Sequence, residues 1–162
     1  MEPLLNSRWG FESNCFVCEA ANTEGLRIPF LHDAEQRLVV AGFELDDRFS
    51  GAPSYVHGGI VLAVLDEAMA WAAIAVAGVF AVTKETTTRF RRPVRVGTRY
   101  EVRGWVEEAG EQLRCGAEVV DDGGERCAVA SASFVALGPA QAADAIGTDV
   151  PEADRGFLRD RP

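Results

Sequence analysis

The chain has 162 residues, 48% of them apolar, and a formal net charge of −9. That size and apolar content fit one domain with a real core. The acidic balance argues against general nucleic-acid binding, which needs a basic surface. No basic stretch followed by an apolar one opens the chain, so no secretory signal is expected and the expected location is the cytoplasm.

Residues 1–25 predict irregular structure, with Asn14, Asn22 and Gly25 as turn formers. Within them Cys15 and Cys18 have the Cys-x-x-Cys spacing that invites zinc or redox chemistry. A zinc site needs two further ligands. Cys115 and Cys127 stand singly on expected strands, and His32 and His57 do not complete a set. The four cysteines are therefore read as small apolar residues, with a structural oligomer whose Cys-x-x-Cys holds zinc as the alternative.

LRIPF (26–30) predicts a short strand and QRLVVAGFEL (36–45) a longer one, rich in β-branched and aromatic residues. FSGAPSYVHGG (49–59) predicts a loop. A helix follows to about Ala77, closed by Gly78. From Ile60 to Phe80 its only charged residues are Asp66 and Glu67. Such a stretch could span a membrane, but each acid near its centre would cost about 2.5–3.5 kcal/mol. The expectation is a buried helix of a soluble protein.

Four strands are expected next: VTKETTTRFRRPV (82–94), TRYEVRGWVEE (98–108), QLRCGAEVV (112–120) and RCAVASASFVAL (126–137). Short turns at Ala109-Gly110 and Asp121–Gly124 make them a hairpin meander. In the third, Leu113, Cys115, Ala117 and Val119 share a face. A helix apolar nearly all round needs covering nearly all round. A curved antiparallel sheet wrapped about it, with a second subunit over the rest, meets that need, which predicts an α+β fold. Residues 1–138 form the expected domain, and 139–162 a tail that either packs on the surface or stays mobile.

The candidate site begins at HGG (57–59), where a glycine-rich loop becomes a helix. The first N–H groups of a helix lack intrahelical partners and carry partial positive charge, so this place attracts an anion or a developing oxyanion. A tight turn that needs glycine explains the same residues. Asp66 lies about two turns further on, and Glu67 points about 100° away around the helix, so the two cannot face one pocket squarely. A buried carboxylate without partners has a raised pKa and suits a base or nucleophile. A structural acid, held by backbone or by an arginine across a subunit boundary, is the alternative.

HGGIVLAVLDEAMAWAA resembles the signature of the hot-dog-fold, PaaI-like acyl-CoA thioesterases, with an acid nine residues after the histidine. CFVCEAANTEGLRIPF (15–30) and VTKETTTRFRRPV extend the likeness over roughly residues 14–137. The resemblance implies a hot-dog fold, in which one long central helix is wrapped by a curved antiparallel sheet. It implies a homo-oligomer, a dimer or a dimer of dimers, with active sites at the dimer interface. It also implies hydrolysis of an acyl-CoA or acyl-carrier-protein thioester without metal or organic cofactor. By position, Asp66 matches the catalytic carboxylate, as general base or nucleophile, and Gly58 the backbone donor to the thioester oxygen. His57 matches the loop histidine at that carbonyl. Thr83 matches a hydroxyl that in some members reaches the reaction centre from the partner subunit. Gly59, Glu67, Arg91 and Arg92 complete the substrate-binding candidates, with Glu67 taken as the more structural of the two acids. The chain departs from many relatives at Gly51, where they carry Asn or Gln six residues before the histidine.

Six of the sixteen basic residues are arginines between Arg89 and Arg103. They either meet coenzyme A phosphates, with Arg91 and Arg92 the preferred pair, or form a solvated face balancing an acidic protein. Trp71 and Phe80 are candidates for an acyl pocket or, more simply, for the core. A binding module for acyl-CoA or acyl-carrier protein that keeps the fold without the chemistry is the rival reading. No nucleic acid and no membrane is expected as partner.

Overall fold

The computed structural model describes residues 1–9, 13–110 and 112–158. Nine strands and two α-helices follow one another in these residues. Strands β1 (Glu2–Pro3), β2 (Leu31–Asp33) and β3 (Leu38–Glu44) come first, then a small ribbon of β4 (Ser50–Ala52) and β5 (Tyr55–Val56). Helix α1 spans Gly58–Ala75. After it come β6 (Ala81–Phe90), β7 (Arg99–Ala109), β8 (Leu113–Val120) and β9 (Arg126–Ala136), then helix α2 (Pro139–Ile146). The main sheet is antiparallel throughout, in the order β1-β2-β3-β7-β8-β9-β6. The chain between β3 and β6 crosses from one side of the sheet to the other and carries α1, which leaves β6 at an edge.

Alternation decides which face meets the helix. Val39, Ala41 and Phe43 of β3 are buried, as are Tyr100 and Val102 of β7, Leu113, Cys115, Ala117 and Val119 of β8, and Ala128, Ala130, Ala132 and Phe134 of β9. Much of that face is alanine or glycine, so the helix lies close. A methyl group added at Gly104 of β7 would run into the Ala68 carbonyl of α1. α1 is the one helix among the described residues long and apolar enough to cross a membrane. It lies in the concavity of the sheet instead, with Val64, Leu65, Ala68, Met69, Ala72 and Ala73 fully buried. Burying a side chain such as Leu65 or Met69 contributes about 1.5–3 kcal/mol.

The helix and the four strands after it match the sequence expectations to within a few residues, but only β7, β8 and β9 form the meander, since β6 pairs with β9 and not with β7. LRIPF does not form a strand. Leu26, Ile28 and Phe30 are buried in alternation, but Arg27 has φ 53° and Pro29 has no N–H to donate. The segment instead bonds locally, Leu26 N–H to the Phe16 carbonyl at 2.7 Å and Ile28 N–H to that of Val17 at 2.8 Å. Pairing with β3 is taken up by β2, just beyond the proline. Trp105 faces the side opposite Tyr100 and Val102, over Gly116.

The segment after β9 is folded where it is described. Leu137, Ala142 and Val150 form a small core of their own. A 3-10 turn at Glu152–Phe157 returns to α1 and β6, where Phe80 N–H donates to the Phe157 carbonyl at 2.8 Å and the two rings meet edge to face. Residues 159–162 of the expected tail, and 10–12 of the irregular start, lie outside the described residues.

Seating α1 on Gly104 carries a direct prediction. Gly104→Ala should lower stability by about 1–3 kcal/mol, the usual cost of overpacking, read from urea unfolding midpoints. An unchanged midpoint would mean that the helix does not depend on this contact.

Candidate functional site

The loop before α1 is held from both sides. His57 N–H donates to the Phe49 carbonyl at 2.8 Å, and the His57 carbonyl accepts from Ile60 and Val61 at 2.9 and 3.1 Å. The imidazole itself caps the helix, its Nδ1 accepting the Gly59 N–H at 2.9 Å. That bond puts the ring proton on Nε2, which leaves the far side of the ring as a donor. It also uses up Gly59, whose N–H is no longer available to a ligand, contrary to its place among the substrate-binding candidates. Gly58 is left as the first helical residue, and no hydrogen bond among the described residues engages its N–H.

Gly51 is explained by the same loop. A Cβ there would lie 3.0 Å from His57 Cδ2 and 3.1 Å from its Cα, so the imidazole fills the space a side chain would need. The amide that the resemblance implies at this position is absent because His57 packs on the bare backbone.

Beside Gly58 runs a groove of about 330 Å³, bordered by Tyr55, Val61, Phe90, Arg91 and Arg92. The Phe90 ring is 56% exposed, and its edge lies 3.5 Å from where a Gly58 Cβ would sit. Sequence reasoning passed over Phe90; an aromatic residue set among arginines at a strand end was the available signal. Arg92 is paired with Glu125 at 3.0 Å and more loosely with Asp121 at 3.9 Å. Arg91 makes no ion pair among the described residues. Arg103 is spent on Glu101 and Glu118, and Arg95 stacks on the Tyr55 ring. Trp71 and Phe80 are buried and do not line the groove, so their core reading is the one the structure supports. A larger concavity, about 660 Å³, opens on the outer face of the sheet and includes neither the helix start nor Asp66.

Asp66 sits further along α1, half-buried, with Oδ1 accepting the Thr83 hydroxyl at 2.8 Å. This contact depends on a bulge. Thr83 stands opposite Phe134 and Glu85 opposite Ser133, so Lys84 is an extra residue in β6. The insertion puts Thr83 on the helix side with Thr86, Thr88 and Phe90, whose partners Ala132, Ala130 and Ala128 line the core. In a regular strand Thr83 would share a face with Glu85, Thr87 and Arg89. Thr83 thus meets Asp66 of its own chain. The Thr86 and Thr88 hydroxyls are buried without a hydrogen-bond partner on the same side of β6.

Glu67 leaves this seam altogether. Its Oε1 lies 3.4 Å from Cys15 Sγ, on the side where the N-terminal segment covers the helix. Burial, and then the neighbouring Cys15, push the Glu67 carboxyl up to about 7. Hydrogen bonding with the Cys18 side chain holds the Cys15 thiol down at about 5, and the same interaction raises Cys18. The structure thus gives the adjacent acids separate surroundings and does not bring Glu67 to the groove.

Asp66 and Gly58 are also separate within one chain. Eight residues at 1.5 Å each place them roughly 12 Å apart along the axis. The Gly58 N–H and the Asp66 carboxylate of one helix are therefore too far apart to meet on a single atom.

A long apolar helix cradled by a curled antiparallel sheet, with a capped glycine donor at one end and an acid midway, is a hot-dog fold. Residues 54–128 match the family model of the thioesterase superfamily. That stretch, a little under half of the chain, is similar to the thioesterase superfamily, in line with the PaaI-like signature. Solved structures agree in fold. A thioesterase superfamily protein superposes with TM-score 0.66 at 22% identity, over 70% of this chain and 56% of its own. This chain thus spans little more than half the length of that relative. The E. coli PaaI protein of the phenylacetic acid degradation operon gives 0.62 at 20% identity, over 70% and 81%. A Streptococcus mutans UA159 protein bound to acetyl CoA gives 0.59 at 19%, over 62% and 82%. No curated protein matches the chain.

The capping geometry predicts a measurable tautomer. Long-range proton–nitrogen spectra should show His57 protonated on Nε2, and Gly51→Val should erase that pattern by occupying the ring's place. An unaltered spectrum in Gly51→Val would show that the loop does not hold the ring as described.

Proposed function

We propose that the protein is an acyl-CoA thioesterase whose reaction centre is completed by a second copy of the chain. The observation that carries this reading is the free Gly58 N–H, set in a groove bordered by Arg91 and Arg92. The thioester carbonyl oxygen accepts from that N–H and gains stabilisation from the helix dipole as negative charge develops. His57, fixed through Nδ1, keeps Nε2–H as the ring's donor. The Asp66 carboxylate, oriented by Thr83, takes a proton from water as the oxygen attacks the carbonyl carbon, or attacks directly to give an anhydride that water opens. The carbon–sulfur bond breaks and the CoA thiolate departs, leaving a free acid.

The separation of Gly58 from Asp66 along α1 favours Asp66 of a second copy meeting Gly58 of the first. The open edge of β6, where Val82 and Phe90 are 44% and 56% exposed, supports pairing along this side of the molecule. Arg91, without an acid partner, is the better of the two arginines for a phosphate, and a relative of the same fold binds acetyl CoA. Four free cysteines accord with a reducing, cytoplasmic setting.

A binding module for acyl-CoA or acyl-carrier protein is the second reading. Gly51 favours it, since His57 fills the space from which an amide would position water or the carbonyl.

Thiol release from a panel of acyl-CoAs separates the two. Asp66→Asn should lower kcat by about 10²- to 10⁴-fold. Gly58→Pro should lower it by about 10²- to 10³-fold, because it deletes the donor N–H. Proline is well suited to the first helical position, and His57 at φ −59° and ψ 135° already has the backbone that precedes one, so the fold should survive. Tight binding of esters with no release from any would establish the binding module instead.

The arginines make a further distinction. Arg91→Ala should raise KM for CoA esters more than Arg92→Ala does, and neither should matter for thioesters lacking the nucleotide. Equal effects on both ester classes would remove the phosphate role.

A further inference from the structure

Cys15, Cys18 and Glu67 converge although they come from distant parts of the sequence. Cys15 Sγ, Cys18 Sγ and a Glu67 carboxylate oxygen all lie within 4.8 Å of one another, and each residue is half-buried. Among the described residues this is the single group of three or more side chains that could together hold a metal ion. We propose that these three residues bind one thiophilic divalent cation, zinc by their ligand chemistry, with solvent in the fourth position.

The separation of Cys15 from Glu67 fits before any movement. Tetrahedral zinc, with bonds of about 2.3 Å to sulfur and about 2.0 Å to oxygen, separates sulfur from oxygen by roughly 3.5 Å. Cys15 Sγ and Glu67 Oε1 are 3.4 Å apart. The same geometry separates two sulfurs by roughly 3.8 Å, inside the observed spread.

The surroundings are also those of a thiolate site. The Cys18 N–H donates to Cys15 Sγ at 3.4 Å. The Asn6 amide donates to Cys18 Sγ at 3.3 Å. Donors aimed at both sulfurs stabilise negative charge there and orient the ligands. The turn that carries the cysteines is fastened from behind by the Leu26 and Ile28 N–H groups. Glu67 supplies the third ligand, which spacing along the chain could not disclose.

The ion would clip the N-terminal segment to α1 at the residue next to Asp66. Cys15 and Glu67 are 52 residues apart, so the clip closes a long loop between a segment with little regular structure and the core helix. This role is independent of the thioesterase reading.

The test uses the whole chain, reduced, stripped with a chelator and titrated with Co²⁺. One ion per chain and a sulfur-to-cobalt charge-transfer band are expected, and Zn²⁺ should abolish the band by displacement. Cys15→Ser and Glu67→Gln should bind at least about 10-fold more weakly, the lower end of what even an outer-shell loss costs. Asp66→Asn should bind as the wild type does, so failure of the catalytic reading and failure of the metal site are told apart. If a variant does not fold, the wild-type titration decides alone. The proposal is overturned by absence of stoichiometric binding to the reduced wild-type chain, or by undiminished binding in Cys15→Ser or Glu67→Gln. A quantitative Cys15–Cys18 disulfide in protein isolated from a reducing host overturns it equally.

Discussion

The close seating of α1 on a floor of small residues is the constraint on which the rest of the molecule depends. Gly104 admits the Ala68 carbonyl, and the alanines of β8 and β9 keep the surface low around it. Because the helix is pinned there, its rotation is set, and every other residue on it has an assigned direction. Asp66 is turned toward β6 and Glu67 toward the N-terminal segment. A bulkier floor would lift the helix and loosen both relations together.

Two adjacent acids in an apolar helix pose an energetic problem, because each must keep access to water or find a partner. At about 100° per residue they cannot share one. The fold resolves this by giving them different neighbours. Asp66 keeps partial access to solvent and a hydroxyl donor in Thr83. Glu67 is pressed against Cys15, where burial favours its neutral form in the absence of a cation. The first arrangement keeps a carboxylate partly in water beside a hydroxyl donor, and the second sets one against two thiols.

The loop at the helix start shows the same economy of groups. His57 caps the helix through Nδ1 and engages the Gly59 N–H, while no hydrogen bond among the described residues engages that of Gly58, which lines the groove. Gly51 exists to make room for that ring. A single imidazole thus fixes the entrance of the helix, selects the donor and excludes the amide expected six residues earlier.

Much of this was legible in the sequence. The helix from Gly58 follows from its apolar run and Gly78, and the meander from period-two alternation punctuated by Gly and Asp turns. The HGG-to-Asp66 spacing marked the candidate site. These are local patterns, governed by residues a few positions apart. What only the tertiary structure decided are relations between distant segments. The strand expected at 26–30 yields to Arg27 and Pro29 because pairing partners and not propensity settle where the sheet begins. The bulge at Lys84, which swings Thr83 to Asp66, reflects register against β9. Glu67 reaches Cys15 and Cys18 only once α1 is fixed in the sheet. Periodicity records which way a side chain faces on its own element; what it meets there depends on how the elements pack.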